Sequence, residues 1–299
     1  MDKIVEQLTR KIPTENVKTE HILAPYTTFE IGGPAEFFVI PSKVEQISWA
    51  LDVAAEQELP YYVLGKGSNL LIDDKGLRGV VIYLGEKFTK SEVIDEIKVK
   101  AQSGATLESI SLLAMEHSLA GLEFAVGIPG SVGGGVFMNA GAYEGQMGDV
   151  VCEVTGIVDG KIKTYLKDDM EFGYRSSTFQ KDGTVILEAT IGLEKGNKEI
   201  IKAKIDELSE KRKSKQPLNM PSAGSVFKRP EGYYAGKLIQ DCGLRGFSIG
   251  GAQVSEKHCG FIVNKGAATS QDVKDLVAHI QRTVKDKFGV ELQRELKYI

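Results

Sequence analysis

The stretch that decides the fold is Gly127–Tyr143, which reads GIPGSVGGGVFMNAGAY. It is rich in glycine and most of its other residues are apolar, so its composition is not that of a solvated linker. Glycine costs roughly 0.5–1 kcal/mol in backbone entropy relative to alanine. An apolar, glycine-rich backbone offsets that cost best by lying flat against a large planar or phosphate-bearing ligand. Close packing of a helix on a strand is the structural alternative.

A second glycine-rich stretch, Gly65–Leu71, reads GKGSNLL and directly follows a predicted strand. Its two glycines permit positive φ and a close approach of the backbone to a ligand, while Ser68 and Asn69 add short polar groups. This combination suits a pyrophosphate. It is not a Walker A loop, because Lys66 is not followed by Ser or Thr, and it lacks the third glycine of the Rossmann pattern. A tight turn without a ligand is the alternative.

Hydrophobic periodicity in the rest of the chain predicts an α+β fold. A Ser42-x-x-Glu45 capping box predicts the start of one helix, which Pro60 ends. A last helix begins near Ser270 and stops at Gly289. The predicted strands are Glu36–Ile40, Tyr61–Leu64, Val80–Leu84, Ile97–Ala101, Val154–Val158, Ile162–Tyr165, Thr184–Ile191 and the terminal Val290–Ile299.

Composition and charge narrow the possible functions. A net charge of −4 argues against non-specific nucleic-acid binding, which needs a basic face. No run approaches the roughly 18 apolar residues of a membrane span, and the first residues lack the apolar core of a signal peptide. Three cysteines without a CxxC pair and four dispersed histidines indicate neither a disulfide framework nor a metal site. We therefore expect a cytoplasmic protein that binds no metal, nucleic acid or membrane and requires no oligomer.

Three stretches together resemble the UDP-N-acetylenolpyruvoylglucosamine reductase (MurB) family. They are Thr27–Ala35, which reads TTFEIGGPA, and the two glycine-rich stretches. The resemblance covers nearly the whole chain, and its motifs are specific in combination. It implies an α+β fold with a PCMH-type (vanillyl-alcohol-oxidase-like) FAD-binding region in two parts, residues 1–84 and 85–200. A C-terminal α+β substrate-binding domain, residues 201–299, follows.

The resemblance also implies FAD as the cofactor and NADPH as the co-substrate. In the family the first stretch binds the FAD pyrophosphate, and the second contacts the remainder of the cofactor. No histidine lies in either stretch, which favours non-covalent binding. The cofactor-binding residues carried over from the family are Gly65, Lys66, Gly67, Ser68, Asn69, Leu70, Gly127, Ile128, Pro129, Gly130, Ser131, Gly133, Gly134, Asn139, Ala140 and Gly141.

Three further segments match catalytic motifs of the family. The segment GYRSS supplies Arg175, AGSVFK supplies Ser225 and LQRELK supplies Glu295. The resemblance implies that Arg175 lies at the flavin and the substrate, that Ser225 is the general acid and that Glu295 is catalytic. Without the resemblance, an arginine in a turn or a glutamate in an edge strand is usually a solvated surface residue.

The implied reaction proceeds in two halves. NADPH reduces FAD, and the flavin then delivers hydride to C3 of UDP-N-acetyl-3-O-(1-carboxyvinyl)-glucosamine. Arg175 and a protonated Glu295 stabilise the negative charge that develops at C2 and its carboxylate, and Ser225 protonates C2. The product is UDP-N-acetylmuramate, a precursor of peptidoglycan.

Substrate contacts are also implied by position. Tyr174, Lys213 and Arg229 match substrate-binding positions of the family, and Tyr234 and Gln253 are further candidates. The chain resembles the shorter type of the family, which lacks an extra loop with a tyrosine over the substrate. The resemblance therefore assigns no residue to a substrate lid.

Two alternatives share part of this pattern. A FAD-dependent oxidase or dehydrogenase of a sugar or hydroxy acid would keep both glycine-rich stretches without needing the Arg175, Ser225 and Glu295 set. A nucleotide-binding regulatory module would keep only the phosphate-binding stretch. Fast reaction of the reduced protein with oxygen favours the oxidase, and the absence of flavin absorbance favours the regulatory module.

Overall fold

A computed structural model describes residues 2–299 as a mixture of helices and strands. Within these residues no helix is long and apolar enough to cross a membrane. The α-helices are α1 (Asp2–Thr9), α2 (Val44–Glu56), α3 (Leu107–Glu116), α4 (Val132–Phe137), α5 (Met147–Val150), α6 (Phe179–Asp182), α7 (Lys198–Lys215), α8 (Ala235–Asp241) and α9 (Ser270–Phe288). The strands of the first half are β1 (Val17–Ile22), β2 (Pro34–Val39), β3 (Tyr61–Leu64), β4 (Leu70–Leu71), β5 (Leu77–Tyr83), β6 (Ser91–Asp95), β7 (Lys98–Gln102), β8 (Leu119–Ala120), β9 (Gly141–Ala142) and β10 (Gly145–Gln146). Those of the second half are β11 (Val151–Val158), β12 (Lys161–Leu166), β13 (Val185–Gly192), β14 (Glu194–Lys195), β15 (Ser222–Ser225), β16 (Ser248–Ile249), β17 (Ala252–Val254), β18 (Phe261–Asn264) and β19 (Lys297–Tyr298).

The chain divides into two compact units, neither of which is a single continuous segment. The first unit comprises the residues up to Thr19, Phe37–Lys66 and Arg78–Arg212. The second unit comprises Glu20–Glu36, Gly67–Leu77 and Lys213–Ile299. This partition differs from three consecutive domains at residues 1–84, 85–200 and 201–299, which stay a prediction.

The first part of the first unit is built on a small sheet with the order β1-β2-β5-β3. Strands β3 and β5 are parallel, as expected for a layer in which a glycine-rich stretch joins two predicted strands. Helices α1 and α2 contribute Leu8, Ile47 and Ala50 to a fully buried cluster with Phe37 and Val80 of the sheet. Burial of this apolar face fixes the strand from which Gly65 emerges.

The second part of the first unit is a five-stranded sheet with the order β12-β11-β13-β7-β6, and all its pairs are antiparallel. The strands predicted over Val154–Val158, Ile162–Tyr165 and Thr184–Ile191 are confirmed, and they pair antiparallel. Helices α3 and α4 pack against it, with Leu107, Ile110 and Val136 in one buried cluster. The Thr106 hydroxyl caps α3 by accepting a hydrogen bond of 3.0 Å from the Ser109 N–H.

The second unit carries a four-stranded antiparallel sheet with the order β15-β18-β17-β16. Helix α9 presents Val273, Leu276 and Ile280 to a buried cluster that also contains residues of α8 and of the sheet. A capping box of Thr269 and Asp272 begins α9, and Gly289 ends it with φ +69°. Both ends of this helix therefore agree with the sequence prediction.

Two predictions of local structure are wrong. Lys43, not Ser42, is the N-cap of α2, because the Ser42 N–H and hydroxyl both donate to the Gln46 side chain instead of capping the helix. The terminal strand predicted over Val290–Ile299 shrinks to β19, which pairs in parallel with β4. The residues that precede β19 are irregular, and their backbone forms hydrogen bonds with Val226 and Lys228 instead of a regular strand ladder.

Candidate functional site

The glycine-rich stretch Gly127–Tyr143 contains a helix, contrary to the prediction of a backbone that lies flat. Helix α4 begins after Ser131, whose hydroxyl accepts from the Gly134 N–H at 3.4 Å and whose carbonyl accepts from the Gly135 N–H at 2.7 Å. Serine is a favoured N-cap, and here it overrides the poor helix propensity of the glycines.

The glycines of α4 serve two different purposes. A Cβ on Gly133 would lie 2.7 Å from Ser103 Cβ, and one on Gly135 would lie 3.1 Å from Leu107 Cδ1. These two glycines therefore permit close helix packing, which was the structural alternative. A Cβ on Gly134 would meet only the Ser131 hydroxyl, at 3.4 Å. The backbone at Gly134 is consequently open to a ligand.

The structure brings the first glycine-rich stretch against the second within the first unit. A Cβ on Gly65 would lie 2.4 Å from Ser131 Oγ, so only glycine allows this approach. Close by, Ser103 Oγ is buried and has no hydrogen-bond partner among residues 2–299. An unpaired buried hydroxyl costs free energy unless a ligand or water satisfies it. The predicted residues Gly65 and Ser131 therefore lie together beside an unsatisfied polar atom.

From Gly67 onward, the first stretch lies in the second unit and contacts other residues of that unit. Gly67 adopts φ +59°, and a Cβ there would lie 2.4 Å from the Tyr26 carbonyl oxygen. The Asn69 side-chain amide donates to the Glu295 carbonyl at 3.2 Å. Leu70 lies in β4, opposite Lys297. Asn69 and Leu70 thus anchor the C-terminal segment, while Lys66 is exposed and Ser68 half-buried.

Asn139 occupies a structural position in the second stretch. It is buried with φ +43° and its side-chain amide donates to Gln146 and, at 2.9 Å, to the Gly173 carbonyl. Its side-chain oxygen accepts from the Gly148 N–H at 2.8 Å. The side chain is therefore occupied by the protein, and it links the glycine-rich stretch to the turn that carries Arg175.

Arg175 lies in a tight turn beside this stretch. Its φ is +54°, an unusual conformation for a residue with a side chain, and a bridge between Gly173 and Ser176 closes the turn. Its guanidinium donates to the Gly141 carbonyl at 3.1 Å and lies 5.5 Å from the centre of the exposed Tyr174 ring. Arg175 thus contacts the second stretch within the first unit, and its placement at the flavin and the substrate stays a prediction.

Sequence analysis missed Arg212, near the C-terminal end of α7. Its Nε is buried without a hydrogen-bond partner among residues 2–299. A Cβ on Gly127 would lie 2.7 Å from Arg212 Cδ, so the side chain lies directly on the second stretch. Burial lowers the pKa of the Arg212 guanidinium, and the nearby Tyr143 opposes that shift. The lysine-rich sequence of α7 gave no indication that one of its cations is buried.

The start of the second stretch is fixed by its own backbone. The Gly130 N–H donates to the Ile128 carbonyl at 2.7 Å, and the Gly130 carbonyl accepts from the Leu107 N–H at 3.0 Å. Pro129 is exposed at the tip of this turn. At the other end of the stretch, the Ala140 N–H donates to the Gly135 carbonyl at 2.7 Å.

Ser225 ends strand β15 in the second unit. Gly224 has φ +73° and open space where a Cβ would point, and the register of β15 on β18 shifts between Ser222 and Ser225. This bulge leaves Ser225 exposed, opposite Phe261. The glycine that precedes Ser225 therefore lets the backbone present the serine hydroxyl free of a neighbouring side chain.

The structure brings Glu295 next to Ser225. The Glu295 N–H donates to the Val226 carbonyl at 2.8 Å, and Phe227 forms a bridge with Arg294. Leu292 and Leu296 are buried on either side, Arg294 is exposed and Glu295 is half-buried. Two of the three predicted catalytic residues thus lie on adjacent backbone segments of one unit.

The predicted substrate residues of the second unit lie at two places. The Arg229 guanidinium lies 4.1 Å from the centre of the exposed Tyr234 ring. Lys213 lines a cavity of about 640 Å³ together with Gln216, Gln253, Lys257 and Lys265. The Gln216 side-chain oxygen is buried there without a partner among residues 2–299. The cavity therefore combines three cationic side chains with an unsatisfied acceptor.

His258 is a second residue that sequence analysis left unassigned. Its Nδ1 accepts from the Gly260 N–H at 3.1 Å, and Gly260 in turn accepts from the Val226 N–H, next to Ser225. Burial lowers the pKa of His258 below its ordinary value. The ring is therefore neutral at neutral pH, with its proton on Nε2.

Two models of known protein families match the parts of the chain that contain most of these residues. A family model described as FAD binding domain matches residues 35–164, and one described as UDP-N-acetylenolpyruvoylglucosamine reductase, C-terminal domain, matches residues 216–299. UDP-N-acetylenolpyruvoylglucosamine reductase of Clostridium perfringens (strain SM101 / Type A) is 52% identical over 288 residues, which cover 95% of this chain and 93% of that protein.

Solved structures agree with these matches. The crystal structure of UDP-N-acetylenolpyruvylglucosamine reductase (MurB) from Thermus caldophilus superposes with a TM-score of 0.80 at 36% identity, covering 93% of this chain and 97% of that one. Wild-type Phl p 4.0202, a glucose dehydrogenase, superposes with a TM-score of 0.50 at 16% identity, over 66% of this chain and 44% of that one. The second likeness shows a shared fold alone. The predicted α+β fold, with a PCMH-type FAD-binding region and a C-terminal substrate domain, is confirmed.

Proposed function

The chain belongs to the UDP-N-acetylenolpyruvoylglucosamine reductase family, and on this basis we propose that it converts UDP-N-acetyl-3-O-(1-carboxyvinyl)-glucosamine to UDP-N-acetylmuramate with NADPH. It is an oxidoreductase with an FAD-binding domain. The observation that carries the proposal is the adjacency of Ser225 and Glu295 in the second unit, where the Glu295 N–H donates to Val226. A sugar oxidase of the same fold has no need of this pair.

The residues of the first unit fit non-covalent FAD. Gly65 approaches Ser131 as closely as a glycine allows, Gly134 leaves open space, and Ser103 and Arg212 each carry an unsatisfied buried donor. We assign the pyrophosphate to the Gly65–Ser131 contact and the rest of the cofactor to the Gly127–Tyr143 stretch. FAD, when bound, supplies the transfer of hydride from NADPH to the enolpyruvyl double bond.

Arg175 and Glu295 are assigned to stabilise negative charge on the enolpyruvyl group. A guanidinium is always protonated and can pair with a carboxylate through two parallel hydrogen bonds. The turn that fixes Arg175 limits the reorganisation needed during reaction, which is the condition for effective electrostatic stabilisation. A protonated Glu295 would donate a further hydrogen bond to the developing charge.

Ser225 is assigned to donate the proton that completes the product. Its hydroxyl is a weak acid in water, so it acts by position on a strongly basic carbon rather than by a lowered pKa. The bulge at Gly224 fixes that position, because it turns the hydroxyl out of the sheet into solvent-accessible space.

The UDP end of the substrate needs cations and hydrogen-bond donors. Lys213, with Lys257 and Lys265 on the same cavity, supplies three ammonium groups, and Arg229 beside Tyr234 supplies a guanidinium on an aromatic face. Tyr174 is assigned to the substrate through its exposed ring next to Arg175. Family membership supports NADPH as co-substrate and a cytoplasmic location, and the chemistry requires no oligomer.

Separate measurement of the two half-reactions tests the proposal. Ser225→Ala should leave reduction of the flavin by NADPH unchanged and slow its reoxidation by the enolpyruvyl nucleotide by about 10²–10⁴-fold, because only the second half needs a general acid. Ser222→Ala, on the same strand, is the control, since only its backbone makes the contacts with Thr28. Equal slowing of both halves by Ser225→Ala would refute the assigned role.

A further inference from the structure

Arg212 is a half-buried cation with a buried Nε, and no group among residues 2–299 neutralises it. Its Nε has no partner among residues 2–299, and no carboxylate of those residues acts on its ionisation; only burial and Tyr143 do. An isolated buried charge is costly, so such groups are paired or bind a ligand. Arginine cannot relieve the cost by losing its proton at physiological pH.

The position of the guanidinium limits what the missing partner can be. The side chain lies on Gly127, at the start of the second glycine-rich stretch, where a methyl group would come within 2.7 Å of Cδ. On the other side, the Tyr143 hydroxyl donates to the Leu208 carbonyl at 2.9 Å, which ties the end of the same stretch to α7. Arg212 therefore lies where both ends of this stretch meet the helix.

We propose that Arg212 binds the N1–C2=O edge of the FAD isoalloxazine ring and stabilises its reduced form. This inference rests on the proposed function, because it takes FAD as the cofactor of the stretch. Nε–H and one Nη–H of a guanidinium are parallel donors, and they match the two adjacent acceptors on that planar edge. The pyrophosphate, by contrast, is assigned to Gly65 and Ser131, a different part of the stretch.

The chemical consequence is a preference for one redox state. Uptake of two electrons and one proton at N5 leaves one negative charge shared by N1 and the C2 carbonyl oxygen. A buried cation at this edge favours that charge more strongly than the neutral oxidised ring, because the surroundings screen it poorly. Arg212 therefore raises the reduction potential of bound FAD and eases its reduction by NADPH.

The test is the midpoint potential of the bound flavin, measured by dye equilibration of the holoenzyme, with the FAD dissociation constant measured on the apoprotein. Arg212→Gln should weaken binding of reduced FAD about 10–100-fold more than that of oxidised FAD, which lowers the potential by about 30–60 mV for a two-electron couple. The midpoint potential of Arg212→Lys should lie between those of the wild type and Arg212→Gln, since lysine keeps the charge and loses the paired donors. Lys202→Gln removes an exposed cation from the same helix and should leave both quantities unchanged.

The outcomes separate this inference from the proposed function. Equal weakening of oxidised and reduced FAD, with the potential unchanged, would overturn the ring assignment in favour of the pyrophosphate. An unchanged potential and FAD affinity with a raised KM for the nucleotide substrate would overturn it in favour of the substrate. If Arg212→Gln fails to fold, the Arg212→Lys variant decides. A midpoint potential in Arg212→Lys equal to that of the wild type would overturn the inference. Wild-type protein that binds no FAD would contradict the proposed function itself.

Discussion

At the scale of single residues, the most informative positions are those where a glycine determines what its neighbour can do. Gly224 has φ +73° and creates the bulge that exposes Ser225, and Gly65 lets the backbone touch Ser131. The side-chain amides of Asn69 and Asn139 instead donate hydrogen bonds to backbone carbonyls of the protein. A short polar side chain in a ligand-binding stretch is therefore not by itself a ligand contact.

Replacement of Glu295 by glutamine tests its assignment at this scale. Glu295→Gln keeps the size of the side chain but replaces an acidic O–H donor by a weaker amide N–H donor, so turnover should fall, by at most the roughly 10²–10³-fold that loss of a whole donor to a developing negative charge costs. FAD content should not change, because the Glu295 backbone, not its carboxyl group, contacts Asn69 and Val226. Glu291→Gln, an exposed residue paired with Lys285, is the control. Wild-type turnover in Glu295→Gln would remove the residue from the site.

His258 predicts how stability depends on pH. Its pKa is lowered in the folded protein relative to the ordinary value of 6.5, so the unfolded chain binds the extra proton more readily. The contribution of neutral His258 is therefore fully present above pH 6.5 and is lost as the pH falls from there through the folded pKa. Urea unfolding of wild type and His258→Gln at about pH 7.5 and 5.5 measures this. Acidification should destabilise the wild type more than the variant, and an equal loss in both would contradict the assignment.

At the scale of elements, α4 shows how far the sequence predicts local structure and where it fails. Periodicity and the stop at Gly289 correctly predicted α9 and the strands of the antiparallel sheet, because their apolar faces repeat regularly. Helix α4 was missed, since three consecutive glycines have poor helix propensity, which the Ser131 N-cap and tertiary packing against Ser103 and Leu107 offset. The terminal segment was over-predicted as a strand, because irregular hydrogen bonds to Val226 and Lys228 replace a ladder.

Neighbouring glycines in α4 distinguish packing from ligand binding. Gly133→Ala places a Cβ 2.7 Å from Ser103 Cβ and should destabilise the fold by about 1–3 kcal/mol, as overpacking does. A Cβ at Gly134 would meet only the Ser131 hydroxyl, so Gly134→Val should leave the apoprotein folded while it lowers FAD affinity. Thermal unfolding of the apoprotein and FAD titration measure the two effects. Full FAD occupancy in Gly134→Val would mean that this face of α4 does not contact the cofactor.

At the scale of the whole molecule, the sequence predicts the family and the fold but not the partition of the chain. The residues Glu20–Glu36 and Gly67–Leu77 belong to the second unit although they precede most of the first. The order of residues along the chain does not indicate this division into units. The contacts that decide the division, such as Asn264 with Phe29 and Leu70 with Lys297, join distant parts of the chain. Arg212 was missed for a related reason, since burial of one cation in a lysine-rich helix depends on packing and not on helix period.

In the proposed reaction, this chain holds a flavin that takes electrons from NADPH and passes them to the enolpyruvyl nucleotide. Anaerobic stopped-flow absorbance of the FAD-bound protein near 450 nm tests it most directly. NADPH should bleach the flavin band, and UDP-N-acetyl-3-O-(1-carboxyvinyl)-glucosamine, added next, should restore it with formation of UDP-N-acetylmuramate. A band that stays bleached until oxygen is admitted, or a protein that remains colourless with FAD, would contradict the account.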